Sequence, residues 1–105
     1  MAARPVLLTP DDRAEPRDET MHRTQLRDGG GATRMVTVVN LSPNGFMARC
    51  DGDIAIGDRV AIVLPVVGEF AGEVRWSLGG RIGCKLTREV PGALYQFVVA
   101  AMRRS

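Results

Sequence analysis

The chain has 105 residues, of which 45% are hydrophobic and 25% charged, with a formal net charge of +2. That length and balance describe one globular domain, exclude a disordered polyelectrolyte, and carry no basic excess of the kind that draws in nucleic-acid polymers. Lys85 is the single lysine among fourteen basic residues, and a guanidinium fork suits anionic or flat ligands, although a GC-rich genome produces the same bias.

Residues 1–20 read as a flexible N-terminal arm. Pro5, Pro10 and Pro16 interrupt any regular element, and Asp11, Asp12, Glu15, Asp18 and Glu19 crowd it with charge. Its apolar trio Val6-Leu7-Leu8 is too short for a signal peptide or a membrane span, so a cytoplasmic protein without membrane attachment is expected.

Residues 21–105 read as the folded domain. A first strand over 21–27 stops at Gly29-Gly30-Gly31, a hairpin loop lacking the lysine and helix of a phosphate-binding loop. Residues 33–39 return as its partner. Then comes Asn40-Leu41-Ser42-Pro43-Asn44-Gly45, a turn between two apolar runs, followed by a short strand over 45–49. Asn40 and Ser42 can hydrogen-bond a ligand or their own backbone, and Gly45 admits a positive φ or a close backbone approach.

A polar connection follows, with Ile54 and Ile56 expected to tuck inward, and then a strand over 59–64. Alternation over 69–76 places Phe70, Gly72, Val74 and Trp76 on one face. Over 81–86 it points Ile82, Cys84 and Leu86 inward. Cys50 and Cys84 sit in apolar strand patterns and read as buried, reduced thiols without zinc spacing. The last element changes period. Pro91 suits the first turn of a helix, and Leu94, Phe97, Val98 and Ala101 form an apolar stripe that Tyr95, Val99 and Met102 widen. Arg103 and Arg104 complement its dipole.

About six short antiparallel strands and one terminal helix imply a small barrel or sandwich, with the helix covering an open end or seam, or serving a dimer. A monomer and a weak homodimer both fit. No enzyme is expected: His22 is the only histidine, it falls on a strand, and no carboxylate pair, nucleophile or metal cluster stands out.

Two elements, taken together, resemble a known family. Arg13-Ala14-Glu15-Pro16-Arg17 is an RxxxR element with proline before the second arginine, and Asn40 to Gly45 is a [D/N]xSxxG element. Further matches are Gly57 before a Val-rich strand, Glu73-Val74-Arg75-Trp76, and Gly83 in the last strand. The chain is similar over roughly residues 11–103 to the PilZ domain, a bacterial module that binds the second messenger cyclic di-GMP.

The resemblance implies a six-stranded antiparallel β-barrel with a C-terminal helix. It implies that Arg13 and Arg17 wrap cyclic di-GMP while Asn40, Ser42 and Gly45 form the facing surface. Trp76 can supply a stacking surface, although an aromatic at an inward strand position is more often core. No cofactor is implied, and output is expected to pass through a protein effector. A PilZ-fold adaptor that does not bind the nucleotide is the alternative. Arginine chemistry suits the ligand: a guanidinium can pair bidentately with phosphate, reach the O6 and N7 acceptors of guanine, or stack on its face. Asp12 stands where family members often carry a further arginine, and Asn40 where aspartate is commoner. Asp11, Glu15 and Asp18 crowd the pair, where they can form salt bridges or repel a dianion. A second RxxxR, Arg23 to Arg27, lies within the first strand and reads as a solvated face.

Overall fold

The computed structural model describes residues 15–52 and 54–103. Six strands and a helix follow in order: β1 (Asp18–Arg27), β2 (Thr33–Ser42), β3 (Gly45–Cys50), β4 (Arg59–Leu64), β5 (Gly68–Leu78), β6 (Arg81–Leu86) and α1 (Gly92–Arg103). The strands close into an antiparallel barrel in the order β1-β2-β3-β6-β5-β4. The fold is therefore the expected six-stranded barrel with a C-terminal helix, and closure leaves no long free edge. The closing seam is short. β1 pairs with β4 only at Leu26↔Ile62 and Arg27↔Ala61, beyond which Thr24 Oγ1 donates to Val63 O at 2.7 Å. Among the described residues no helix is long and apolar enough to cross a membrane.

Period-2 patterning fills the interior. Leu26, Val38, Phe46, Ile62, Phe70 and Val74 are all within 1% of complete burial. Burying apolar area of this kind, at about 25 cal/mol per Å², is the main force holding the barrel together. Cys50 and Cys84 are buried free thiols in the same cluster, and burial pushes the Cys84 thiol up to about 12. The Arg88 guanidinium covers the Phe70 ring 3.8 Å from its centroid.

At the β1–β2 loop, Asp28 Oδ1 accepts from the Gly30 and Ala32 amides and Oδ2 from Arg34 Nη2. The Arg34 hydrogen bond, reinforced by those two amides, holds the Asp28 carboxyl below its ordinary value.

Several elements differ from the reading of the sequence. β1 begins at Asp18, three residues inside the segment assigned to the arm, because residues 18 and 19 pair with Leu41 and Asn40. β2 runs through Ser42, so the expected six-residue turn narrows to Pro43-Asn44. Ile54 is buried as expected, but Ile56 is 66% exposed.

The helix buries Tyr95, Val98, Val99 and Met102, while Leu94 and Phe97 face outward. Of the expected stripe only Val98 is fully buried, and the residues expected to widen it, Tyr95, Val99 and Met102, form the rest of the buried face. The Tyr95 hydroxyl lies 2.7 Å from Asp18 Oδ2 and 2.9 Å from Leu41 O. Arg103 Nε donates to Glu19 O, so α1 is tied at both ends across the start of β1.

Trp76 is the other correction. A register shift between Val74 and Trp76 inserts an extra residue into β5, and Trp76 then pairs with Gly83 rather than continuing the inward row. Phe70, Gly72 and Val74 are buried as expected, but Trp76 is only half-buried. Its indole lies directly over Gly83, where any Cβ would overlap the ring.

Candidate ligand-binding site

The hairpin joining β2 to β3 is held by backbone approach and by its own side chains. A Cβ at Gly45 would stand 2.7 Å from Cys84 O, so glycine is required there for β3 to lie close to β6. Ser42 is 2% exposed, and its hydroxyl donates to Gly45 O at 3.3 Å. Ser42 and Gly45 thus shape the turn from inside. The turn carbonyls are also used: Leu86 N donates to Asn44 O and Val90 N to Pro43 O, each at 2.8 Å.

The outward groups of the hairpin meet residues 15–17. Arg17 Nη1 donates to Asn40 Oδ1 at 2.9 Å, across a sequence separation of 23. Glu15 Oε2 accepts from Asn44 Nδ2 at 2.7 Å, and Glu15 Oε1 from the Asn44 amide at 3.2 Å. Pro16, with its fixed φ, separates the carboxylate from the guanidinium.

Pairing carries the surface onward from Asn40. Asn40 sits opposite Met47, and Met47 opposite Gly83, on which Trp76 rests. With strands about 4.8 Å apart, Asn40 and the indole lie about 10 Å from each other along one outer row of the wall. Asn40 Nδ2 approaches Met47 Sδ at 3.7 Å. The row therefore offers, in order, a guanidinium, a carboxamide, a thioether and an indole. Such a surface can pair with an anion at one end and stack a flat ring at the other.

The next turn of chain is anchored to the helix. Asp18 accepts from Tyr95 and lies 3.6 Å from Arg103 Nη2. Burial, with the nearby Asp18 carboxylate, pushes the Tyr95 phenol well above its usual range. Asp18 thus joins α1 rather than facing a ligand. In the second RxxxR element both arginines are exposed on β1, and Arg27 pairs with Glu69 at 2.8 Å.

Of the residues singled out from the sequence, Arg17 and Asn40 are in contact on the outer wall, the Trp76 indole lies two strands further round over Gly83, and Ser42 and Gly45 lie beneath the hairpin. Arg13 lies outside the described residues. Glu15 binds the hairpin tip at Asn44, a pairing across 29 positions that no residue pattern marks. A signal for Trp76 was present: an interior strand glycine such as Gly83 marks a place where another group approaches closely.

Among the described residues, cavities also lie elsewhere on the barrel. One of about 270 Å³ is bordered by Arg27, Asp28 and Arg59, and one of about 190 Å³ by Cys50, Gly80 and Arg81. Among the described residues no three His, Cys, Asp or Glu side chains gather as a metal site requires. No protein-family model matches the chain, and no curated protein matches it.

Proposed function

We propose that this chain is a PilZ-like, non-catalytic receptor for cyclic di-GMP. The observation that carries the reading is the Arg17–Asn40 contact at 2.9 Å, which joins the second arginine of the RxxxR element to the first residue of the [D/N]xSxxG element. Arg17 and Asn40 are 23 positions apart in sequence and in contact in space. Arg17, with Arg13 upstream, grips the phosphates or a guanine edge. Asn40 donates to and accepts from a guanine edge, and the Trp76 indole over Gly83 supplies a stacking face. Ser42 and Gly45 contribute by holding the hairpin in shape. The bound ligand and the arm then form a new surface that a protein effector reads.

A calorimetric titration with cyclic di-GMP tests this. Affinity near micromolar is expected, about −8 kcal/mol, because ordering the arm offsets part of the contact energy. No heat at saturating messenger, together with unchanged amide signals for residues 15–20, rejects the reading.

The adaptor reading has one observation in its favour: Phe97 is 65% and Leu94 38% exposed on the outer face of α1. A chain that binds a protein through this face without the messenger would show no nucleotide heat and would lose its partner on Phe97→Ser.

A further inference from the structure

The Asn44 amide and its Nδ2 point outward from the hairpin tip as a two-donor fork, and one carboxylate fills it. Such a fork accepts any anionic oxygen; a carboxylate and a phosphate satisfy it in the same way. Four residues back along the hairpin, Asn40 holds Arg17. The free chain therefore keeps the negative side of Glu15 on the fork and the positive side of Arg17 beside it, with Pro16 fixing the spacing between them.

We propose that Asn44 is a ligand-binding residue of this site, that its fork takes a phosphate oxygen, and that Glu15 is a built-in competitor that must leave the fork when the anion arrives. This rests on the cyclic di-GMP reading for the identity of the anion, though not for the fork itself. The Asn44 backbone amide carries a single hydrogen, so a phosphate and the Glu15 carboxylate cannot both make the two-point pairing. Both are negative, so their proximity adds repulsion to the exclusion. Once Glu15 swings away, Arg17 is left beside the phosphate without a carboxylate two residues before it on the same surface. The exchange explains how an arm crowded with acidic residues can serve a dianion: its carboxylate holds the fork until the ligand displaces it.

The test uses the full chain with Glu15→Gln, and Glu19→Gln as the charge control, since Glu19 is exposed opposite Asn40 and does not hold Asn44. A glutamine side chain can accept only one of the two fork hydrogen bonds and carries no charge. The Asn44 amide in Glu15→Gln is expected to move upfield and to exchange faster in the absence of any ligand. Affinity for cyclic di-GMP is expected to rise about five- to tenfold, against at most about twofold for Glu19→Gln.

Inorganic phosphate, followed at the Asn44 amide, provides the second probe. If the messenger binds no variant while phosphate shifts the Asn44 amide in Glu15→Gln, the fork and its competitor stand and the cyclic di-GMP reading falls. An Asn44 amide identical in wild type and Glu15→Gln overturns the proposal. So does an equal gain in affinity from Glu15→Gln and Glu19→Gln, or an Asn44 amide in Glu15→Gln that neither messenger nor phosphate moves.

Discussion

Arg17 reaches Asn40 with a 2.9 Å hydrogen bond although β1 and β2 already pair alongside it, so this contact is additional to what the barrel needs to close. Arg17 itself is exposed. Arg17→Ala is accordingly expected to leave the fold intact and to cost about 2–4 kcal/mol of cyclic di-GMP binding through lost charge-assisted contacts. Calorimetry on the variant, with far-ultraviolet circular dichroism as the check on folding, measures both.

Trp76 is the only tryptophan, so its emission reports on one place. Binding of a guanine on the indole is expected to quench it. Gly83→Ala forces the ring off its seat, because the new methyl would overlap it. The expected result is a red-shifted spectrum in the free protein and a weaker quench on titration.

Gly45→Ala places a methyl 2.7 Å from Cys84 O, a backbone atom that cannot move without parting β3 from β6. A loss of about 1–3 kcal/mol is expected, as for other overpacked sites. Thermal melting detects it, since each kcal/mol moves the midpoint of a domain this size by about 4–8 °C.

Tyr95→Phe keeps the ring in the core and removes the hydroxyl that Asp18 and Leu41 share. Leu41 O is then left without that donor, for an expected cost of about 1–2 kcal/mol in urea unfolding. Because Asp18 adjoins Arg17, faster amide exchange at residues 18–20 should accompany the loss.

Stability should also fall at high pH. Burial raises Cys84 from an ordinary 9.0 to about 12 in the folded chain. The unfolded thiol ionises first, so the contribution of the buried thiol is complete below pH 9 and is lost as pH rises toward 12. Tyr95 is raised for the same main reason and acts in the same direction. Cys84→Val should unfold at a higher pH than wild type when alkaline unfolding is followed by circular dichroism.

The architecture was legible because Phe70, Gly72 and Val74 alternate cleanly in β5, as do Ile82, Cys84 and Leu86 in β6, and glycine-rich turns punctuate the strands. What escaped the sequence had three physical causes. The bulge at Arg75 turned Trp76 to the outer wall, and one extra residue cannot be seen in a period-2 pattern before pairing is known. The apolar face of the helix was wide, and which part of it is buried is fixed by contacts such as Tyr95 to Asp18, 77 positions apart, that periodicity does not reveal. The hairpin motif was legible as residues but not as roles: Ser42 and Gly45 turned inward, and Asn44, a variable position of the motif, turned outward to Glu15.

The seam between β1 and β4 has a mechanical consequence. Eight pairs join β1 to β2, yet two join β1 to β4. The leading strand is thus cantilevered, clamped along one side and at the helix, with little support on the other. Pulling at its tip loads β2 and α1 together before it loads β4, so a tug on residues 15–17 reaches the helix through Asp18 and Glu19 as well as the neighbouring strand.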